Sequence, residues 1–182
     1  MQTELDVLRD VSEKLDSAGI AYMLTGSMAM SYYAQPRMTR DIDIVVALRR
    51  EQAETISRLL ETEYYVSREA VSDAIAGRTM FNAIHFQSVI KVDFIVLPNT
   101  SFAQEEFGRR RELTLPDFKT TIISREDLIL SKLLWAKGSE SEMQLRDVRN
   151  LLTSDCDLEY LRKWADHLTV KDGLERLLNA NE

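Results

Sequence analysis

Apolar residues recur at helical spacing at Leu5, Leu8, Val11 and Leu15, which predicts an opening amphipathic helix that Gly19 ends. Ile20 to Leu24 is a short apolar run of strand length. Met28 to Ala34 reads as a helix entered through Gly26-Ser27, with Pro36 beyond its end. The nearly continuous apolar run Ile42 to Leu48 predicts a strand covered on both faces. Glu51 to Leu60 returns to helical spacing. Thr79 to Phe86 and Val89 to Leu97, separated by Gln87-Ser88, read as an antiparallel hairpin without the preferred Asn-Gly turn.

From Ser124 the pattern changes. Ser124 with Asp127 makes a start resembling a capping box, with Asp in place of the usual Glu. Leu128 to Lys137, Ser141 to Leu152, Leu158 to Leu168 and Lys171 to Leu178 all carry helical spacing. The expected organisation is a mixed α/β core over residues 1–122 and a helical C-terminal lobe over 123–182.

A chain of 182 residues that is 45% hydrophobic can bury one sizeable core and is not composed like a disordered protein. Its net charge of −7 argues against sequence-independent nucleic-acid binding, which depends on basic side chains. Cys156 stands alone, so neither a disulfide framework nor a zinc pattern is available, and a buried, reduced thiol is expected. No apolar stretch approaches the ~20 residues of a membrane span. The expectation is a soluble, cytoplasmic protein.

The candidate chemistry begins at Arg40-Asp41-Ile42-Asp43. Alternate residues of a strand share a face, so Asp41 and Asp43 point the same way. Adjacent carboxylates repel unless a cation lies between them, and a divalent metal is the usual answer. Upstream, Gly26-Ser27 opens a helix whose unpaired N–H groups and dipole suit a phosphate. Asp93 stands in another apolar strand run, Lys91 to Val96. The bland alternative sets Asp41 and Asp43 at a solvated strand end, paired with Arg37 or Arg40. Metal together with phosphate points instead to nucleotidyl or phosphoryl transfer.

Order along the strand narrows the chemistry. Haloacid-dehalogenase-like phosphatases and many D-x-D glycosyltransferases place the aspartates after the apolar strand, whereas here they lead it. The set Leu24-Thr25-Gly26-Ser27, Asp41-Ile42-Asp43 and Asp93 resembles the polymerase-beta-like nucleotidyltransferase superfamily. Arg37-Met38-Thr39-Arg40-Asp41-Ile42-Asp43 is most similar to its small bacterial branch, of the abortive-infection toxin and aminoglycoside-nucleotidyltransferase-like groups. Glu126 to Lys132, with Arg146-Asp147-Val148, resembles the helical lobe of the same proteins, so the likeness spans roughly residues 20 to 152.

The resemblance implies an α+β fold, a mixed sheet flanked by helices and followed by a helical lobe. It implies transfer of a nucleoside monophosphate from a nucleoside triphosphate to an acceptor hydroxyl, with release of pyrophosphate. Asp41 and Asp43 would hold two Mg²⁺ ions, and Asp93 would share one and act as general base. Gly26 and Ser27 would meet the triphosphate, and Arg40 is a further nucleotide-binding candidate. Lys132 lies in an otherwise apolar helical run. It can snorkel to solvent or, as the resemblance implies, reach the triphosphate beside Ser27. The acceptor is left open among a small molecule, a protein hydroxyl and RNA. The alternative is a catalytically silent regulatory or toxin-antitoxin partner module on the same fold. His85, Arg109-Arg110-Arg111, Trp135 and Trp164 are expected to be a packed or surface histidine, solvated loop charge and two lobe-core aromatics.

Overall fold

Thr3 opens the first helix by a reciprocal cap: its N–H donates to Asp6 Oδ2 at 2.8 Å and its Oγ1 accepts from the Asp6 N–H at 3.3 Å. This is the start of α1 (Glu4–Ser17), which ends at Gly19 with φ +62°. The computed structural model describes residues 3–34, 41–139 and 141–180. These fall into two compact units, residues 3–28 with 41–123, and residues 29–34 with 124–139 and 141–180. The chain passes from the first to the second within one helix, α2 (Gly26–Tyr33).

The first unit is built on strands β1 (Tyr22–Thr25), β2 (Asp41–Val46), β3 (Tyr64–Val66), β4 (Met80–His85), β5 (Lys91–Val96), β6 (Arg111–Thr114) and β7 (Lys119–Ile122). Among the described residues they form one mixed sheet in the order β3-β4-β5-β2-β1-β7-β6. β2 and β5 run parallel, as do β1 and β7; the other neighbours are antiparallel. One face carries Ile42, Ile44, Val92, Phe94, Phe81 and Leu24, all buried. Helix α1 covers that face with Val7, Leu8, Val11 and Leu15. It is anchored there by Tyr64 Oη donating to Asp10 Oδ2 at 2.6 Å and by the 3.0 Å Ser12–Thr120 hydroxyl contact. Leu5, expected on the same apolar stripe, is instead 52% exposed. Helices α3 (Ala53–Leu60), α4 (Arg68–Gly77) and α5 (Ser101–Gly108) complete this unit.

The expected hairpin forms as β4 and β5, with Val89 taking the left-handed turn at φ +58°. His85 is buried, its ring edge-on to Tyr64 and its Nδ1 2.9 Å from Ser88 Oγ. Five elements have no counterpart among the expected ones: β3, α4, α5, β6 and β7. The strands among them have only three or four residues, too short for alternation to stand out. Arg109-Arg110-Arg111 is correspondingly not a simple solvated loop. Arg109 closes α5, the Arg110 guanidinium lies 4.1 Å from the Phe107 ring centroid, and Arg111 starts β6.

The second unit contains α6 (Arg125–Ser139), α7 (Glu142–Leu151), α8 (Leu158–His167) and α9 (Lys171–Asn179), the four helices expected. Ser124 Oγ accepts from the Asp127 N–H at 3.2 Å and donates to Asp127 Oδ2 at 2.5 Å. Tyr160 Oη donates to Asp127 Oδ1 at 2.6 Å, so a fully buried carboxylate ties α6 to α8. Cys156 is buried and free. Trp164 packs beside Tyr160 and His167. Trp135 corrects its expectation: it is 67% exposed rather than in the lobe core. Among the described residues, no helix is long and apolar enough to cross a membrane.

Candidate active site

The parallel register of β2 and β5 sets Asp43 beside Asp93 and Asp41 beside Lys91. Register partners share a sheet face, so these four side chains all rise on the face opposite α1. The row through Asp43 continues to Thr25 on β1 and to Asn82 on β4. Two carboxylates thus stand on neighbouring central strands, with a third one turn of the pleat away. The Asp41 and Asp43 alternation follows from strand geometry, and the pairing with Asp93 from the β2–β5 register.

Gly26 sits directly over the row. Its φ is +66°, and a β-carbon there would lie 2.0 Å from Asp43 Oδ2. Both facts demand glycine: an L side chain resists that backbone conformation, and the carboxylate occupies the space it would need. The sequence reading gave Gly26 the task of admitting a phosphate. In the structure its nearest close neighbour is the Asp43 carboxylate. Ser27 follows as the second residue of α2 and is partly exposed.

Lys91, absent from the sequence-based candidates, supplies the positive charge. Its Nζ is 2.9 Å from Asp93 Oδ2 and 3.7 Å from Asp41 Oδ2. The hydrogen bond to Asp93, with further attraction from Asp41 and Asp43, raises the lysine pKa above its ordinary value despite some desolvation. The signal was present in Lys91-Val92-Asp93, whose alternation puts lysine and aspartate on one face.

Asp93 is only 7% exposed, and its Oδ1 is buried with no hydrogen-bond partner. An orphaned carboxylate oxygen beside a second carboxylate on the neighbouring strand fits a hard divalent cation, which prefers such donors. Among the described residues, no three His, Cys, Asp or Glu side chains are gathered as a metal-ligand group. Two of the carboxylates, Asp41 and Asp93, are met by the Lys91 ammonium.

Two further candidates are Arg40 and Lys132. Arg40, with Arg37, is outside the described residues. Lys132 belongs to the second unit, where its Nζ donates to Asp147 Oδ2 at 2.7 Å and to Gln144 Oε1 at 3.1 Å. Both side chains of the ion pair are at most 5% exposed. Lys132 therefore does not snorkel to solvent; it joins α6 to α7. A cavity of about 340 Å³, lined by Asp6, Asp10, Glu13, Glu63 and His85 among others, opens beside α1. It lies on the sheet face away from the carboxylate row.

The sequence model of the aminoglycoside-2''-adenylyltransferase family matches residues 7–112, which include Gly26, Asp41, Asp43 and Asp93. No curated protein matches the chain in sequence. Among solved structures, ANT(2'')-Ia in complex with adenylyl-2''-tobramycin superposes with a TM-score of 0.64 at 13% identity, over 92% of this chain and 98% of that one. An antigenic nucleotidyltransferase-like protein from Paracoccidioides brasiliensis gives 0.58 at 20% identity, over 97% and 93%. The lincosamide antibiotic adenylyltransferase LnuA, lincomycin-bound, gives 0.55 at 18% identity, over 82% and 96%. At these identities the likeness is one of fold.

Proposed function

The chain belongs to the aminoglycoside-2''-adenylyltransferase family, within the polymerase-beta-like nucleotidyltransferases, and from that membership we propose that it transfers a nucleoside monophosphate to an acceptor hydroxyl. The observation that carries this reading is the Asp43–Asp93 register pair, with Asp41 on the same face and Gly26 closed over Asp43. Asp41, Asp43 and Asp93 would hold Mg²⁺, in the two-ion form the resemblance implies. When bound, the ions would neutralise the triphosphate and stabilise charge on the attacking and leaving oxygens.

The remaining steps fall to the chain's own groups. Asp93 would accept the proton of the acceptor hydroxyl as that hydroxyl's oxygen bonds to the α-phosphorus, the role the resemblance implies. The bond from that phosphorus to the β-phosphate bridging oxygen breaks, and pyrophosphate leaves. The N-terminus of α2, with the Ser27 hydroxyl, would orient the β- and γ-phosphates. The triphosphate contacts are given to Gly26 and Ser27, and Lys132 is kept as a structural residue of the helical unit.

We extend the proposal to the co-substrates: ATP as donor and a cationic small-molecule antibiotic as acceptor. The support is the family description, the adenylylated tobramycin and lincomycin held by two structural neighbours, and an acidic chain of net charge −7. The test is thermal melting with Mg²⁺ and each of the four nucleoside triphosphates in turn. A ligand that binds only the folded state raises the melting temperature. A rise with Mg²⁺-ATP supports the reading; no rise with any nucleotide favours the silent module.

A further inference from the structure

On β5, Lys91 precedes Asp93 by two residues and rises on the same face, in register with Asp41 on β2. Its ammonium reaches Asp93 Oδ2 at 2.9 Å and Asp41 Oδ2 at 3.7 Å. It leaves Asp93 Oδ1 buried and unsatisfied. The lysine thus offsets part of the cluster's charge without saturating its oxygens. A divalent cation using those oxygens would meet a like charge at contact distance, where repulsion is strong in a partly buried site. The Lys91 side chain is 38% exposed, so its flexible stem can carry the ammonium towards water without unpacking the core.

We propose that Lys91 is an exchangeable counter-ion, which holds Asp41 and Asp93 together in the metal-free protein and competes with a divalent metal for their oxygens. The proposal rests on reading Asp41, Asp43 and Asp93 as metal-holding residues. It goes beyond that reading by assigning Lys91 a setting role: metal affinity is the difference between what the carboxylates offer a metal and what they already give the ammonium. Removing the ammonium costs the metal-free protein stability and favours metal uptake. Arginine at the same position keeps the charge and the competition.

The experiment titrates the full chain with Mn²⁺, following free ion by electron paramagnetic resonance, alongside melting temperatures in chelator. Wild type, Lys91→Met, Lys91→Gln and Lys91→Arg are compared. Lys91→Met and Lys91→Gln are expected to bind Mn²⁺ about tenfold more tightly than wild type, a coupling of ordinary size. Both should melt lower than wild type in chelator and gain more on adding Mn²⁺, and Lys91→Arg should return all three readouts towards wild type. Unchanged or weaker Mn²⁺ affinity in both neutral variants, with wild type binding normally, overturns the proposal alone. Absence of Mn²⁺ binding in every protein overturns the metal reading and the proposal together.

Discussion

A β-carbon on Gly26 would lie 2.0 Å from Asp43 Oδ2. The residue that turns the chain from β1 into α2 is therefore fitted against the carboxylate at the centre of the row. Gly26→Ala is expected to destabilise the sheet unit by about 1–2 kcal/mol from left-handed strain alone. It should also displace the Asp43 carboxylate and weaken binding of Mg²⁺-ATP about tenfold or more.

Gly19 provides the control. It has a nearly identical φ of +62°, but nothing lies within 4 Å of the position its β-carbon would take. Gly19→Ala is expected to lower the melting temperature by a comparable strain term and leave Mg²⁺-ATP affinity unchanged. Equal nucleotide affinities in the two variants would sever Gly26 from the site.

Lys132→Ala is expected to destabilise the helical unit by about 3–5 kcal/mol, because it strips the ammonium from a buried Asp147 carboxylate. Replacing both partners by apolar residues, Lys132→Met with Asp147→Leu, should recover most of that loss. Urea unfolding followed by circular dichroism measures both.

Alkaline pH should loosen the sheet unit. Burial, with the hydrogen bond to Asp10, pushes the Tyr64 phenol above its ordinary value of 10.0, and carboxylate partners raise Lys14 and Lys91 above 10.5. Each group keeps its proton longer folded than unfolded. The stability they lend is therefore complete below about pH 10 and is lost as pH climbs beyond it. The urea midpoint should fall steeply above pH 10, and Tyr64→Phe should flatten that fall by removing one of the three groups.

How much of this was legible beforehand divides along physical lines. The carboxylate row could be read because alternation in a strand is local: Asp41 and Asp43 had to share a face. Asp93 could be paired with them only by resemblance, since which strands neighbour one another is a long-range fact. The same limit hid β7, which adds to β1 in parallel from nearly a hundred residues away. Gly26 is expected from the sequence to meet a phosphate; its contact with Asp43 depends on the antiparallel Thr25–Asp43 register that brings β2 under it, which is a long-range fact. Lys91 stands two residues from Asp93 in the sequence, but its reach to Asp41 depends on the β2–β5 register. Lys132 meets the same limit. Its partner Asp147 lies fifteen residues on, in another helix, and nothing in the apolar run around the lysine points there.

The most direct test of nucleotidyl transfer follows the phosphates of ATP. The protein is incubated with Mg²⁺, a panel of aminoglycoside and lincosamide acceptors, and ATP labelled in turn at the α- and γ-phosphates. The expected result is α-label on an acceptor with stoichiometric γ-labelled pyrophosphate, abolished by Asp43→Asn and reduced at least 100-fold by Asp93→Asn, the scale of a lost general base. Release of γ-label as inorganic phosphate, or transfer that survives Asp43→Asn, would contradict the assignment of this carboxylate row.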